Sequence, residues 1–196
     1  MGKRELNVMG LSYSQSNDGS CIVVLSDRHS RLKLPVIVKP TEATRIVLEV
    51  EKIDSPRPMV YDVMKQMTDV YNIDVKEVFI HSILSGVYYT KIVTTNGVED
   101  LDFECSTGDA ISLALIYKVP IFASNEVLKS AAIVTDENGQ VIPDNDLTEL
   151  EDFSDDEKIA TPITSVNDLE KMMQDAIKNE EYETAAKLRD KIDEMK

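Results

Sequence analysis

The polar and apolar positions of the first 135 residues fall into short runs of two periodicities. "LNVMGLSYS" (6–14), "SCIVVLSD" (20–27) and "RLKLPVIV" (31–38) are rich in strand-forming residues, and Asn17-Asp18-Gly19 supplies a turn between the first two. After Pro40 the spacing changes to that of a helix: Ala43, Ile46, Val47 and Val50 share one face, and Thr41 can cap it. Val60, Val63, Met64, Met67 and Tyr71 recur at helical spacing over 60–71, an apolar stripe expected to fill the core. Strand patterns return at 75–84, 86–95 and 98–106, divided by Ser85-Gly86 and Asn96-Gly97. Of the two turns Asn96-Gly97 is the stronger signal, since both residues tolerate positive φ. "TGDAISLALIYK" (107–118) reads as a helix capped by Thr107, "VPIFAS" (119–124) as a strand, and "NEVLKSA" as a further helical turn. Hairpin-connected strands with helices between them predict an α+β fold with a mixed, largely antiparallel sheet.

The pattern then stops. Residues 136–165 form a linker whose stretch 144–165 holds eight acids, one lysine and no apolar period, so it is expected to be extended and self-repelling. Helical periodicity resumes at 166–196. Leu169, Met172, Met173, Ala176 and Ile177 make one stripe; Tyr182, Ala185, Ala186, Leu188, Ile192 and Met195 make another, with "KNEEYE" between them. Asn167 and Glu170 fit a capping box. Two short helices folded on each other bury too little surface to stand alone, so this hairpin is expected to dock on a partner or on its own copy.

Composition narrows the chemistry. The chain of 196 residues is 42% hydrophobic, enough for a packed core, and carries a net charge of −15. Residues 1–140 hold 14 basic and 19 acidic side chains; residues 141–196 hold 7 and 17. No overall basic footprint for nucleic acid exists, so a nucleic-acid role needs a local positive patch or bound cations. The apolar runs are too short to span a bilayer, and "MGKRELNVMG" has no apolar signal core. No membrane role and a cytoplasmic location are expected. Cys21 and Cys105 lie in strand-like runs and are expected to be reduced, buried thiols; no Cys-x-x-Cys or paired histidine suggests zinc.

The acids Glu42, Glu49, Asp62 and Asp109 and the cation Arg57 remain as candidates. Glu42, Asp62 and Asp109 each fall near a predicted helix start. There a carboxylate can stabilise the helix dipole without doing chemistry, or carboxylates can gather around a divalent cation. His81 sits in a strand run and is expected to be a hydrogen-bonded sheet residue.

Two resemblances sharpen these alternatives. "NDLEKMMQDAIKNEEYETAAKLRDKI" resembles the UVR motif, a helical hairpin of bacterial excision-repair subunits and of proteins tied to Clp-type chaperone ATPases. It implies protein–protein docking through Leu169, Met173, Tyr182, Ala186, Leu188 and Arg189. "LPVIVKPTEATRI", "SPRPMVYDVM", "EVFIHSIL", "STGDAISLAL" and "VPIFAS" resemble, in order and spacing, the bifunctional nuclease (BFN) domain family, credited with DNase and RNase activity. That resemblance implies phosphodiester hydrolysis with Asp62, Asp109 and Arg57 as catalytic residues and Arg57 and Tyr61 toward substrate. It also implies Mg²⁺ or Mn²⁺ on Glu42, Asp62 and Asp109. Val60 and Tyr61 stand where the family has Thr-His, and no arginine precedes Ser106-Thr107-Gly108-Asp109. The competing expectation is a non-catalytic homo-oligomeric adaptor, serving repair or Clp-type proteolysis machinery.

Overall fold

The computed structural model describes residues 2–13, 21–27, 30–134, 166–179 and 181–194. The linker 136–165 and the Asn17-Asp18-Gly19 turn lie outside the described residues. The chain runs β1 (Lys3–Tyr13), β2 (Cys21–Asp27), β3 (Leu32–Val38), α1 (Pro40–Val50), α2 (Val60–Val70), β4 (Asp74–Leu84), β5 (Val87–Thr95) and β6 (Asp100–Cys105). It continues through α3 (Thr107–Tyr117), β7 (Ile121–Ser124), α4 (Asn125–Ala131), β8 (Ile133–Val134), α5 (Val166–Lys178) and α6 (Tyr182–Glu194). The eight strands form one sheet in the order β6-β5-β4-β7-β1-β2-β3-β8. Its pairings are antiparallel except β4 with β7. The α+β expectation holds.

Alternation along β2 and β3 sends Val23, Leu25, Leu34 and Val36 into the core, each 0–1% exposed. Helix α3 is the hub of the helical layer. Ala110, Ile111 and Ala114 on it are buried, and both α1 and α2 pack against it. The Thr107 hydroxyl shares a buried 2.8 Å hydrogen bond with Thr90, which fixes the start of α3 over β5.

Four local expectations change. Ser106, not Thr107, caps α3, its hydroxyl accepting the Asp109 N–H at 3.2 Å; Thr107 is the first helical residue. Lys39, not Thr41, is the cap residue of α1, with Pro40 in the first turn where its missing N–H costs nothing. Ser85-Gly86 forms the tight β4–β5 turn with both φ values positive (51° and 79°), and Leu84 pairs directly with Val87. Asn96 instead sits in a longer loop, where its carboxamide oxygen accepts the Val98 and Glu99 N–H groups. Serine outdoes asparagine here because cross-strand register, not turn propensity alone, sets the loop length.

The fourth change is larger. The stripe Val60, Val63, Met64, Met67 and Tyr71 is 39–75% exposed, not core. The side of α2 facing the protein is polar instead: Tyr61 and Thr68 are buried and hydrogen-bond to Asp109 and Tyr117 on α3.

Helices α5 and α6 pack on each other, and α5 packs on β1. Leu169, Met172, Leu188 and Ile192 join the same apolar cluster as the sheet residues, and the Lys187 ammonium donates to the Asp54 carbonyl. The hairpin thus finds a partner within its own chain, and Leu169 and Leu188 are 0% and 1% exposed. Tyr182, Ala186 and Arg189 face solvent. Asn167, half of the expected capping box, has no described side chain.

Candidate active site

Glu42, Asp62 and Asp109 are each the third residue of a helix, and each carboxylate turns back on its own cap. Glu42 Oε2 accepts the Lys39 N–H at 2.9 Å, Asp62 Oδ2 accepts the Met59 N–H at 2.7 Å, and Asp109 Oδ2 accepts the Ser106 hydroxyl at 2.7 Å. Helix capping therefore accounts for one bond of each of these three acids. What distinguishes them is the rest of their coordination.

Asp62 is committed elsewhere. Arg45, one turn beyond Glu42 on α1 and only 4% exposed, donates to both Asp62 oxygens at 3.1 and 2.8 Å and also to Glu49. This bidentate fork satisfies Asp62 and ties α1 to α2. Burial of the guanidinium makes the two carboxylates obligatory, since an unpaired charge there would be strongly unfavourable.

Glu42 and Asp109 converge. The Ser106 hydroxyl lies 3.0 Å from Glu42 Oε1 and 2.7 Å from Asp109 Oδ2. A hydroxyl has one proton, so it can satisfy one of the two oxygens while the other faces a lone pair. Two carboxylates so placed suit a cation between them. The nearest cation, the Lys39 ammonium, is 3.8 Å from Glu42 Oε1 and largely solvated. Glu42 itself is 5% exposed. Gly108 makes room for it: a Cβ at position 108 would lie 2.2 Å from Glu42 Oε2.

Tyr61 closes the other side. Its hydroxyl donates to Asp109 Oδ1 at 2.6 Å. Burial, followed by the hydrogen bond to Asp109 and the charges of Asp109 and Glu42, holds the phenol well above its ordinary 10.0. It is a fixed donor, not a base, with its hydroxyl engaged by Asp109. Cys105 lies in the same field. Burial first, then Asp109 and Glu42, pushes its thiol from 9.0 up to about 11, so it is a poor nucleophile at neutral pH. Neither Cys21 nor Cys105 is joined in a disulfide.

Arg57 occupies the exposed loop between α1 and α2. It lines an open cleft of about 730 Å³ together with Lys52, Lys118, Arg45 and Asp62. No ion pair engages Arg57, Lys52 or Lys118 among the described residues. The clusters adjoin, since Tyr61 reaches Asp109 and its neighbour Asp62 reaches Arg45. They do not merge: no group of three or more His, Cys, Asp or Glu among the described residues is placed to hold one metal ion. A pair of carboxylates still suits a hard cation that takes its remaining ligands from water and substrate phosphate. Glu42 with Asp109 fits that description, and Asp62 stands outside it. His81, 3.1 Å from the Ser82 hydroxyl and flanked by Phe79 and Tyr89, sits on β4 as expected of a sheet histidine.

Arg45, Ser106 and Gly108 escaped the sequence reading. Arg45 left a signal: it stands three residues after Glu42 and four before Glu49, on the polar side of α1. A cation at that spacing between two acids points to ion pairing along the helix. Nothing local marks the meeting of Ser106 with Glu42, which are 64 residues apart.

A family model described as the bifunctional nuclease domain matches residues 23–136, and one described as the UvrB/uvrC motif matches residues 164–196. An uncharacterized protein of Mycobacterium tuberculosis is 24% identical over 156 residues, 77% of this chain and 93% of that protein. Bifunctional nuclease 1 of Arabidopsis thaliana is 26% identical over 182 residues, 89% of this chain and 56% of the plant protein. Bifunctional nuclease 1 of Oryza sativa subsp. indica is 30% identical over 109 residues, 54% of this chain and 33% of the rice protein. The chain thus spans about half or less of these plant nucleases.

Proposed function

This chain belongs to the bifunctional nuclease domain family, and from that premise we propose that it hydrolyses phosphodiester bonds of DNA or RNA at Glu42 and Asp109. The observation that carries the reading is the single Ser106 hydroxyl lying within hydrogen-bond distance of two carboxylate oxygens. Mg²⁺ or Mn²⁺ held there would supply Lewis-acid neutralisation of the phosphoryl oxygens. The chain's own residues do the rest. Tyr61 and Ser106 fix the two Asp109 oxygens, and the Lys39 N–H fixes Glu42. Arg57, with its planar fork, anchors a substrate phosphate, while Lys52 and Lys118 offset the repulsion between an acidic protein and a polyanion. Asp62 is a positioning residue that holds Arg45 and the start of α2.

Cleavage of single- and double-stranded DNA and RNA by the full chain, with Mg²⁺ or Mn²⁺ and with chelator, tests this. Glu42→Gln and Asp109→Asn are expected to lower kcat by about 100-fold or more, and Arg57→Ala to act mainly on KM. Full activity of the Glu42→Gln/Asp109→Asn variant would sink the assignment. The full bidentate engagement of Asp62 by Arg45 favours the second reading, a non-catalytic adaptor. Absence of cleavage with every metal and substrate would select it. In either case the UVR hairpin docks a protein partner through its exposed Tyr182, Ala186 and Arg189. A pull-down from which Tyr182→Ala/Arg189→Ala removes no partner contradicts that role.

A further inference from the structure

Helix α2 is packed the wrong way round for a surface helix. Amphipathic helices normally bury the apolar stripe and solvate the polar face. Here Tyr61 and Thr68 are buried by hydrogen bonds to α3, and Lys65 lies 5.1 Å from the centre of the Tyr117 ring. Val60, Val63, Met64, Met67, Val70 and Tyr71 face water, at 39–75% exposure. Their spacing of three and four residues, sustained from 60 to 71, is that of a helix–helix seam.

We infer that this stripe is the face on which two copies of the chain pair, α2 against α2 about a two-fold axis. Three observations select a second copy. The first is area: the stripe leaves on the order of 600 Å² of apolar surface per copy, so a pair buries on the order of 1,200 Å², the lower end of specific interfaces. The second is charge. Asp62, Lys65 and Asp69 lie on the far side of the helix from the stripe, which is free of charged side chains. Two chains that each carry −15 meet there without opposing carboxylates. The exposed edge strand β6 offers only Leu101 and Phe103, alternating with Asp100, Asp102 and Glu104, a smaller apolar surface than the six-residue stripe. The third is shape. The stripe opens on the small Val60, closes on the large Tyr71 and carries Met64 and Met67 at its middle. An antiparallel two-fold therefore seats Val60 against Tyr71, meets Met64 with Met67 at its centre and opposes the helix dipoles. This inference is independent of the nuclease reading.

Sedimentation velocity of the full chain between about 1 and 200 μM tests it. The wild type is expected to dimerise reversibly, and Met67→Glu to weaken the dimer by about 100-fold or more. Because Met67 is already 56% exposed, that variant keeps the far-UV circular dichroism and thermal midpoint of a folded chain. Met67→Cys is expected to form a disulfide-linked dimer on mild oxidation. A wild type that stays monomeric at the highest concentration overturns the inference. So does a dimer that Met67→Glu leaves intact, including one that only Phe103→Glu dissociates.

Discussion

Replacing Gly108 with alanine tests the packing of the candidate site in one methyl group. Gly108 lies in the first turn of α3, where alanine ordinarily stabilises a helix by about 1 kcal/mol over glycine. The added Cβ, however, would stand 2.2 Å from Glu42 Oε2, 2.6 Å from Glu42 Cδ and 3.1 Å from Val38 Cγ1. Comfortable contacts begin near ~3.5 Å, so the Glu42 carboxylate has to swing away by more than ~1 Å. That breaks the bond from the Lys39 N–H, a helix-cap interaction typically contributing ~1 kcal/mol, and leaves a buried carboxylate poorly solvated at a further ~1–3 kcal/mol. The clash outweighs the propensity gain, and Gly108→Ala is expected to destabilise the protein by about 1–3 kcal/mol net, read from urea unfolding. The same change made in a Glu42→Ala background meets no carboxylate and is expected to stabilise by up to about 1 kcal/mol. Cleavage activity should fall with the displaced carboxylate in the single variant. A Gly108→Ala protein more stable than wild type, with no coupling to position 42, would refute the placement of Glu42 against α3.

Arg45→Met strips Asp62 and Glu49 of their counter-ion and is expected to cost about 3 kcal/mol in urea unfolding, part of it regained by adding Asp62→Asn. An unchanged unfolding midpoint would show that the α1–α2 tie is not structural. Tyr61 and Cys105 both hold their protons more tightly folded than unfolded, so their contribution is complete below their unfolded values of 10.0 and 9.0. It drains away as pH rises through the folded values, about 11 for Cys105. The urea midpoint is therefore expected to decline from about pH 9 upward, with Cys105→Ala flattening the decline, a limb absent if the thiol is solvated. Asp109→Asn removes one of the causes that raise the Cys105 thiol, so its alkylation at mildly alkaline pH should quicken. An unaltered alkylation rate would separate the thiol from the site.

What the sequence determined by itself was local. Alternation in "CIVVLSD" and "RLKLPVIV", helical spacing after Pro40, and the run "TGDAISLALIYK" each specify an element through side-chain period, and those elements form close to their expected bounds. The three acids at helix starts were equally legible, because a capping carboxylate acts over only a few residues. Periodicity says which positions share a face; it does not say what lies beneath that face. The stripe of α2 was therefore assigned to the core, whereas α3 offers Asp109 and Tyr117 and draws in the polar side of the helix. The same limit hid the difference between Asp62, neutralised by a buried arginine from α1, and the Glu42–Asp109 pair that shares one serine hydroxyl. It also hid the partner of the C-terminal hairpin, which is β1 of its own chain. These are contacts between segments distant in sequence, set by which surfaces the sheet brings together, so only the tertiary structure decided them.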